Sequence, residues 1–152
     1  RWLHQSGTMI KVRARAQLSS APLLPIEQMG FGGENSVRGY PERVVNADQG
    51  LLLNFDLFSP AGKLIQSITK NKSVQDGIRG TFFFDMGFAG LQDPVPGQPA
   101  SYFLAGMGPG FRYELGPWLY VRFDYGFRLT DVIFGSASSS IGQPYFSVIG
   151  AY

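Results

Sequence analysis

Strict alternation of apolar and polar residues is the feature that most constrains the fold of this chain. In residues 8–18, TMIKVRARAQL, the apolar side chains fall on one face, while Lys11, Arg13 and Arg15 fall on the other. Successive side chains of a β-strand point to opposite faces, so a period of two predicts a strand with one apolar face. Five further segments show the same pattern, which predicts an all-β chain of about six antiparallel strands. These segments are 49–58, 79–88, 102–115, 118–129 and 144–152.

The composition supports strands and argues against several other classes of protein. Charged residues make up only 16% of the chain, below the roughly 25% usual in soluble domains, whereas aromatic residues reach 14%. No run approaches the roughly 18 consecutive apolar residues that a membrane-spanning helix needs. A formal net charge of +2 is too small to predict a nucleic-acid partner. Cysteine is absent, which excludes disulfides and thiolate metal sites within these residues.

The faces opposite the apolar residues carry arginine and aspartate together, rather than the lysine and glutamate usual on an open soluble face. Charges of both signs can pair with one another inside a narrow polar lumen, so this pattern favours a transmembrane β-barrel. A water-soluble β-sandwich also shows alternation and is the alternative. The predicted lumen-facing set is Lys11, Arg13, Arg15, Arg79, Arg112, Arg122, Arg128, Asp56, Asp85, Glu114 and Asp124.

The predicted connections differ in length in the manner of an outer-membrane barrel, which has short turns on one rim and long loops on the other. Residues 115–118 predict a tight turn, whereas 91–101 and 130–143 are long and rich in Gly, Pro and Ser. Trp118 and Tyr120, at the start of a strand, predict part of an aromatic girdle at the membrane interface.

Six strands are too few to close a membrane barrel, because the smallest such barrels have about eight. An open edge in hydrocarbon would leave backbone groups unpaired, at a cost of several kcal/mol each. We therefore expect residues 1–152 to be the C-terminal part of a larger barrel domain whose other strands lie upstream. Closure with other chains is the alternative.

The polar stretch GGENSVRGYPE, residues 32–42, interrupts the alternation within a predicted loop at 19–48. Together with the later stretch TFFFDMG, it resembles the outer-membrane superfamily of barrel-assembly (BamA-like) insertases and two-partner-secretion (TpsB) transporters. In that superfamily a VRGY or VRGF tetrad lies at the tip of a loop folded into the lumen, and its arginine pairs with the aspartate of an F-x-D-x-G strand motif. The resemblance implies an Arg38–Asp85 contact. The matching residues are Val37, Arg38, Gly39 and Tyr40 in the tetrad, and Phe83, Asp85 and Gly87 in the strand motif.

The last predicted strand resembles the signal that the assembly machinery reads in outer-membrane barrels. That signal is a terminal aromatic residue preceded by apolar residues at alternate positions. Phe146, Val148 and Tyr152 fit it, and Gly150 is a weaker member. The resemblance therefore implies the lipid bilayer and the barrel-assembly machinery as partners.

Within the superfamily, SVRGYPE followed by NADQG looks more like the two-partner-secretion, haemolysin-activation branch. This implies a protein-translocating barrel in the outer membrane of a Gram-negative-type bacterium, with an unfolded secreted passenger protein as its partner. A barrel-assembly insertase is the first alternative, and a structural β-barrel subunit or a soluble β-sandwich binding module is the second. Periplasmic POTRA domains, whose number would separate transporter from insertase, are expected upstream.

No residue pattern predicts catalysis, a cofactor or a metal. His4 is the only histidine and has no cysteine partner, so zinc and triad interpretations fail. The glycines of GMGPG, residues 106–110, lie inside a predicted strand, so close packing or barrel curvature explains them better than a dinucleotide site. Asp48 matches the Asp-x-Gly found downstream of the tetrad in the superfamily, but acidic turns are common and both interpretations stay open.

Overall fold

The computed structural model describes residues 2–3, 7–64, 76–131 and 141–150. Its strands are β1 (Trp2–Leu3), β2 (Met9–Gln17), β3 (Met29–Phe31), β4 (Val45–Ala47), β5 (Gln49–Phe58), β6 (Asp76–Gly90), β7 (Ser101–Leu115), β8 (Leu119–Arg128) and β9 (Gly142–Gly150). The six strands of nine or more residues correspond to the six predicted segments, so the all-β prediction is confirmed. Over the described part of the chain, no helix is long and apolar enough to cross a membrane.

The main sheet is antiparallel throughout and runs in the order β1-β2-β5-β6-β7-β8-β9. Each long strand pairs with the next long strand in sequence. The predicted tight turn joins β7 to β8, and the Trp118 N–H donates to the Leu115 carbonyl oxygen at 3.1 Å. Among the described residues β1 and β9 are free edges, so the sheet is open. An open antiparallel sheet of six long strands is consistent with a segment of a larger barrel.

The two faces of the main sheet differ in character, and their burial is the reverse of that in a soluble protein. On β6, Phe83 and Asp85 are 1% and 0% exposed, whereas Phe82 and Phe88 are 48% and 47% exposed. A soluble sandwich would bury the aromatic side, whereas a membrane barrel turns it towards lipid. The charged face carries Arg13, Asn54, Asp56, Asp85, Arg112, Arg122 and Asp124, and the apolar face carries Leu57, Phe82, Phe88, Phe103, Phe111 and Phe127.

The connection between β2 and β5, residues 18–48, folds over the charged face and is called the long loop below. It contains the β3–β4 hairpin, in which Met29 pairs with Ala47. The sequence predicted the loop but not this hairpin. Burying a large apolar side chain contributes about 1.5–3 kcal/mol, so the small core under the loop stabilises its position. That core consists of Met29, Phe31, Val37, Tyr40, Val45 and Ala47 from the loop, and Leu52, Ala89 and Leu104 from the main sheet.

Candidate functional site

Arg38, at the tip of the long loop, reaches the charged face and contacts Asp85 of β6. Its Nε donates to Asp85 Oδ2 at 2.7 Å, its Nη2 donates to Oδ1 at 2.8 Å, and its backbone N–H donates to Oδ2 at 3.1 Å. Arg38 is 1% exposed and Asp85 is 0% exposed. Two parallel N–H···O bonds give the fork geometry that makes arginine–carboxylate pairs strong and directional. The structure thus brings together the two residues that the motifs pair.

Further groups surround the Arg38 guanidinium and keep it charged. Its Nη2 also donates to Asp56 Oδ1 at 2.7 Å, and its Nη1 lies 3.7 Å from Asp124 Oδ2. Its Cζ lies 3.7 Å from the centroid of the Phe83 ring, which is a cation–π contact. Burial alone would lower the pKa of Arg38, but hydrogen bonds and charge from Asp85 and Asp56 raise it above its usual value. The guanidinium is therefore a permanent charge.

Asp124 of β8 connects this cluster to two more arginines and back to the long loop. Arg112 of β7 donates to both Asp124 oxygens, at 2.9 Å each. Arg122 of β8 donates to Asp124 Oδ2 at 2.9 Å, and its Nη1 lies 2.7 Å from Glu34 of the loop. Each of these charges has an opposite partner within bonding distance, which is the condition under which charges are tolerated away from water.

Asn54 of β5 orients both sides of the central ion pair, and the sequence analysis did not single it out. The Asn54 Nδ2 group donates one N–H to Asp85 Oδ1 at 2.8 Å. It donates the other N–H to the Ser36 carbonyl oxygen at 2.7 Å. One amide therefore fixes the carboxylate and also holds the loop backbone two residues before Arg38. The available sequence signal was a polar residue at an inward-facing strand position.

The glycines of the two motifs allow the loop and the sheet to approach closely. Gly39 has a φ of 101°, in the left-handed region that favours glycine, and a Cβ there would lie 2.9 Å from the Phe127 carbonyl carbon. A Cβ on Gly87 would lie 2.9 Å from Val37 Cγ2. Position 39 thus requires glycine because of its backbone conformation, and position 87 requires glycine because a side chain would collide with the loop. The loop tetrad and the strand motif therefore fit each other sterically.

Tyr40 attaches the loop tip to β7 and to the segment after β8. Its hydroxyl lies 2.9 Å from the Ala105 carbonyl oxygen and 2.6 Å from the Thr130 carbonyl oxygen, and it accepts the Thr130 N–H at 3.2 Å. The side chain is 1% exposed. Its apolar ring and its bonded hydroxyl are therefore both accommodated under the loop.

Two further glycines form the groove in which the loop tip lies. A Cβ on Gly106 of β7 would overlap the Arg38 carbonyl oxygen, and a Cβ on Gly126 of β8 would lie 2.5 Å from the Gly39 nitrogen. The Gly106 contact agrees with the close-packing interpretation of GMGPG.

In a comparison with protein-family models, residues 4–113 match the model of the haemolysin secretion/activation protein ShlB/FhaC/HecB. The matched region covers both motifs and well over half of the chain. The chain belongs to the ShlB/FhaC/HecB family. Members of this family are Gram-negative outer-membrane transporters of two-partner secretion, so the predicted family, location and transport class are confirmed. A search of curated protein sequences found no match.

In this ShlB/FhaC/HecB family member, Asp48 holds the base of the long loop. Its Oδ1 accepts the Leu23 N–H at 2.8 Å and the Gln28 Nε2–H at 3.0 Å, and its Oδ2 accepts the Gln92 N–H at 2.9 Å. The Gln92 bond, then the Leu23 and Gln28 bonds, lower the pKa of Asp48 below its usual value. The carboxylate therefore ties both ends of the loop base to the β6–β7 connection.

Replacing Asp48 with asparagine is expected to loosen the loop base. The substitution exchanges one carboxylate oxygen for an amide nitrogen, which cannot accept a hydrogen bond from a backbone N–H. The pKa is lowered on folding, so Asp48 stabilises the loop above its unfolded pKa of about 3.9 and loses that contribution as the pH falls through the lowered folded value. Exchange protection of the Leu23 and Gln92 amides should fall about fivefold at pH 7. Asp93→Asn is the exposed neighbouring control, and equal protection in both variants would contradict this role.

The predicted C-terminal signal is only partly described. Phe146 and Val148 lie on the apolar face of β9 and are 67% and 51% exposed. Tyr152 lies outside the described residues, as do His4 and most of the predicted loop 130–143. The signal therefore stays a prediction.

The assignment of Tyr120 to the aromatic girdle is wrong. Tyr120 shares the parity of Arg122 on β8, so it belongs to the charged face, where it lines a cavity of about 130 Å³ together with Lys11 and Arg13. Trp118 precedes β8 in the turn and is 61% exposed. The strand begins between the two residues, at Leu119, so Trp118 lies in the turn and only Tyr120 lies in β8.

The aspartates of the charged face pair with arginines. No group of three or more His, Cys, Asp or Glu side chains in the described ranges could hold a metal ion. Asp56, Asp85 and Asp124 each bind at least one guanidinium instead. The arrangement therefore suits the anchoring of a loop.

Proposed function

We propose that residues 1–152 form the C-terminal part of the β-barrel of a two-partner-secretion transporter, which exports an unfolded passenger protein through its lumen. The long loop lies inside that lumen, and the Arg38–Asp85 ion pair holds it there. The burial of this pair carries the proposal, since the two residues are 1% and 0% exposed although one belongs to a loop. A solvated loop arginine would have no reason to be enclosed in this way.

The energetics of the loop support this role. Ordering a loop costs about 1–2 kcal/mol of backbone entropy per residue, so a loop in a water-filled lumen needs specific contacts to hold one position. A charged anchor also suits a loop that changes position during export. The charged groups regain water on release, which offsets part of the lost ion-pair energy.

The charged face supports a conduit for polypeptide. Aspartates of β5, β6 and β8 form ion pairs there with arginines of β7, β8 and the long loop. An extended passenger would meet hydrophilic groups there rather than an apolar surface on which it would be retained.

Three partners follow from this function: the secreted passenger, the lipid bilayer around the apolar face, and the barrel-assembly machinery during biogenesis. Phe146, Val148 and Tyr152 are the residues proposed for recognition by that machinery. Conduction of a polypeptide requires no covalent chemistry, so we propose a protein without enzymatic activity and without a cofactor.

Depletion of the full-length protein in its own cells tests the function. We expect the passenger to disappear from the medium and to be degraded or retained in the periplasm, while other outer-membrane barrels assemble normally. The control is depletion complemented with the wild-type gene. Loss of outer-membrane barrels in general would instead support an insertase, and normal export of every secreted protein would contradict the transporter.

A further inference from the structure

A second contact at the loop tip involves Tyr145 of β9, which belongs to neither motif. Its hydroxyl accepts the Gly39 N–H at 3.0 Å and donates to the Tyr40 carbonyl oxygen at 2.9 Å. One hydroxyl therefore uses both its donor and its acceptor on adjacent residues of the loop backbone. Gln143 Oε1 lies 3.5 Å from the same hydroxyl, too far to compete with these bonds.

The sheet and its glycines explain how a side chain of β9 reaches the loop. Tyr145 pairs in register with Asp124, so its side chain projects from the charged face. Gly126 of β8 has no side chain between β9 and the loop, and a Cβ there would lie 2.5 Å from the Gly39 nitrogen. The loop backbone consequently lies low over β8, within reach of the Tyr145 hydroxyl.

This contact is separate from the ion pair. Asp85 lies on β6, whereas Tyr145 lies three strands away on β9. The ion pair holds the Arg38 side chain, whereas Tyr145 holds the backbone of the next two residues. Two attachments on different strands restrain the orientation of the tip as well as its position.

We propose that Tyr145 is a positioning residue for the long loop and couples the loop tip to β9. Among the described strands, β9 is an edge and pairs only with β8. Tyr145 therefore links β9 directly to the loop tip by two hydrogen bonds. The proposal rests on the proposed function only in that the loop position matters for export, and the contact itself is tested apart from export.

Tyr145→Phe removes the hydroxyl and keeps the ring. The measurement uses the full-length protein solubilised in detergent. In the variant, the Gly39 amide is expected to exchange with deuterium about fivefold faster than in the wild type, because it loses its acceptor. Tyr125→Phe is the matched control: its ring lies on the opposite face of β8, against Phe127, and exchange at Gly39 should not change. Single-channel conductance should fluctuate more in Tyr145→Phe than in Tyr125→Phe, since the loop tip is less restrained.

An assembled barrel changes its electrophoretic mobility when it is heated. Exchange is measured only on protein that shows this change, so a folding defect is detected separately. If Tyr145→Phe fails to assemble, a variant with 4-aminophenylalanine at position 145 is used for the test. Its amino group can still donate to the Tyr40 carbonyl oxygen but is a weaker acceptor for the Gly39 N–H. Exchange of the Gly39 amide should then be intermediate. Wild-type exchange at Gly39 in the variant tested would overturn the proposal. Faster exchange with unchanged passenger export would uphold Tyr145 as a positioning residue and contradict the transport role of the loop.

Discussion

Replacing Arg38 with alanine is expected to release the long loop and to lower passenger export by at least about tenfold, while the barrel still assembles. Removing one partner of a buried ion pair costs about 3–5 kcal/mol, because the other charge is left without compensation. Here Asp85 and Asp56 would both lose a donor at 2.7 Å. Undocking the loop lets water reach these carboxylates, so the loop rather than the sheet should give way. Export is measured as passenger accumulating in the medium per assembled transporter.

Two variants control for charge and for geometry. Arg15→Ala removes an exposed arginine of β2 that lies on the charged face, and this variant should export the passenger normally. Arg38→Lys keeps the charge but not the two-pronged geometry, so export should lie between wild type and Arg38→Ala. Wild-type export by Arg38→Ala would show that the ion pair has no part in transport.

Replacing Gly106 with alanine is the second large expected effect. The new Cβ would overlap the Arg38 carbonyl oxygen, which is a backbone atom and cannot turn aside as a side chain would. Either the loop tip or β7 must move, and overpacking of this kind costs about 1–3 kcal/mol or more. We expect export to fall about tenfold and proteolysis of the loop at neutral pH to accelerate.

Gly77→Ala on β6 is the matched control, because a Cβ at that position meets nothing within 4 Å. Both variants add one methyl group to a strand glycine of the same sheet, so any difference between them reports on the loop. Equal export by the two variants would mean that the groove at Gly106 does not position the tip.

The strands and their faces could be predicted because alternation is a local property of a β-strand. A residue such as Asp85 falls on the polar side by parity alone, and its complete burial follows once a loop covers that side. The assignment of Tyr120 to the aromatic girdle failed because it did not apply this rule: Tyr120 has the parity of Arg122 and Asp124, which lie on the charged face.

The contacts that complete the site could not be predicted, because they join residues far apart in sequence. Tyr145 meets Gly39 across 106 positions, and Asn54 meets Asp85 across 31. Neither pairing leaves a pattern within one segment. The β3–β4 hairpin was missed for a different reason, since strands of three residues are too short to show a period of two.

The most direct measurement uses Ser36→Cys as a probe of loop docking. Ser36 is 6% exposed and this chain has no cysteine, so the rate of thiol labelling reports how often the loop leaves the charged face. Asp85→Asn is compared in two backgrounds, with Arg38 present and with Arg38→Ala. If the ion pair holds the loop, Asp85→Asn should accelerate labelling when Arg38 is present. It should slow labelling when Arg38 is absent, because it then removes an uncompensated charge. A change of the same size and sign in both backgrounds would contradict an Arg38–Asp85 anchor.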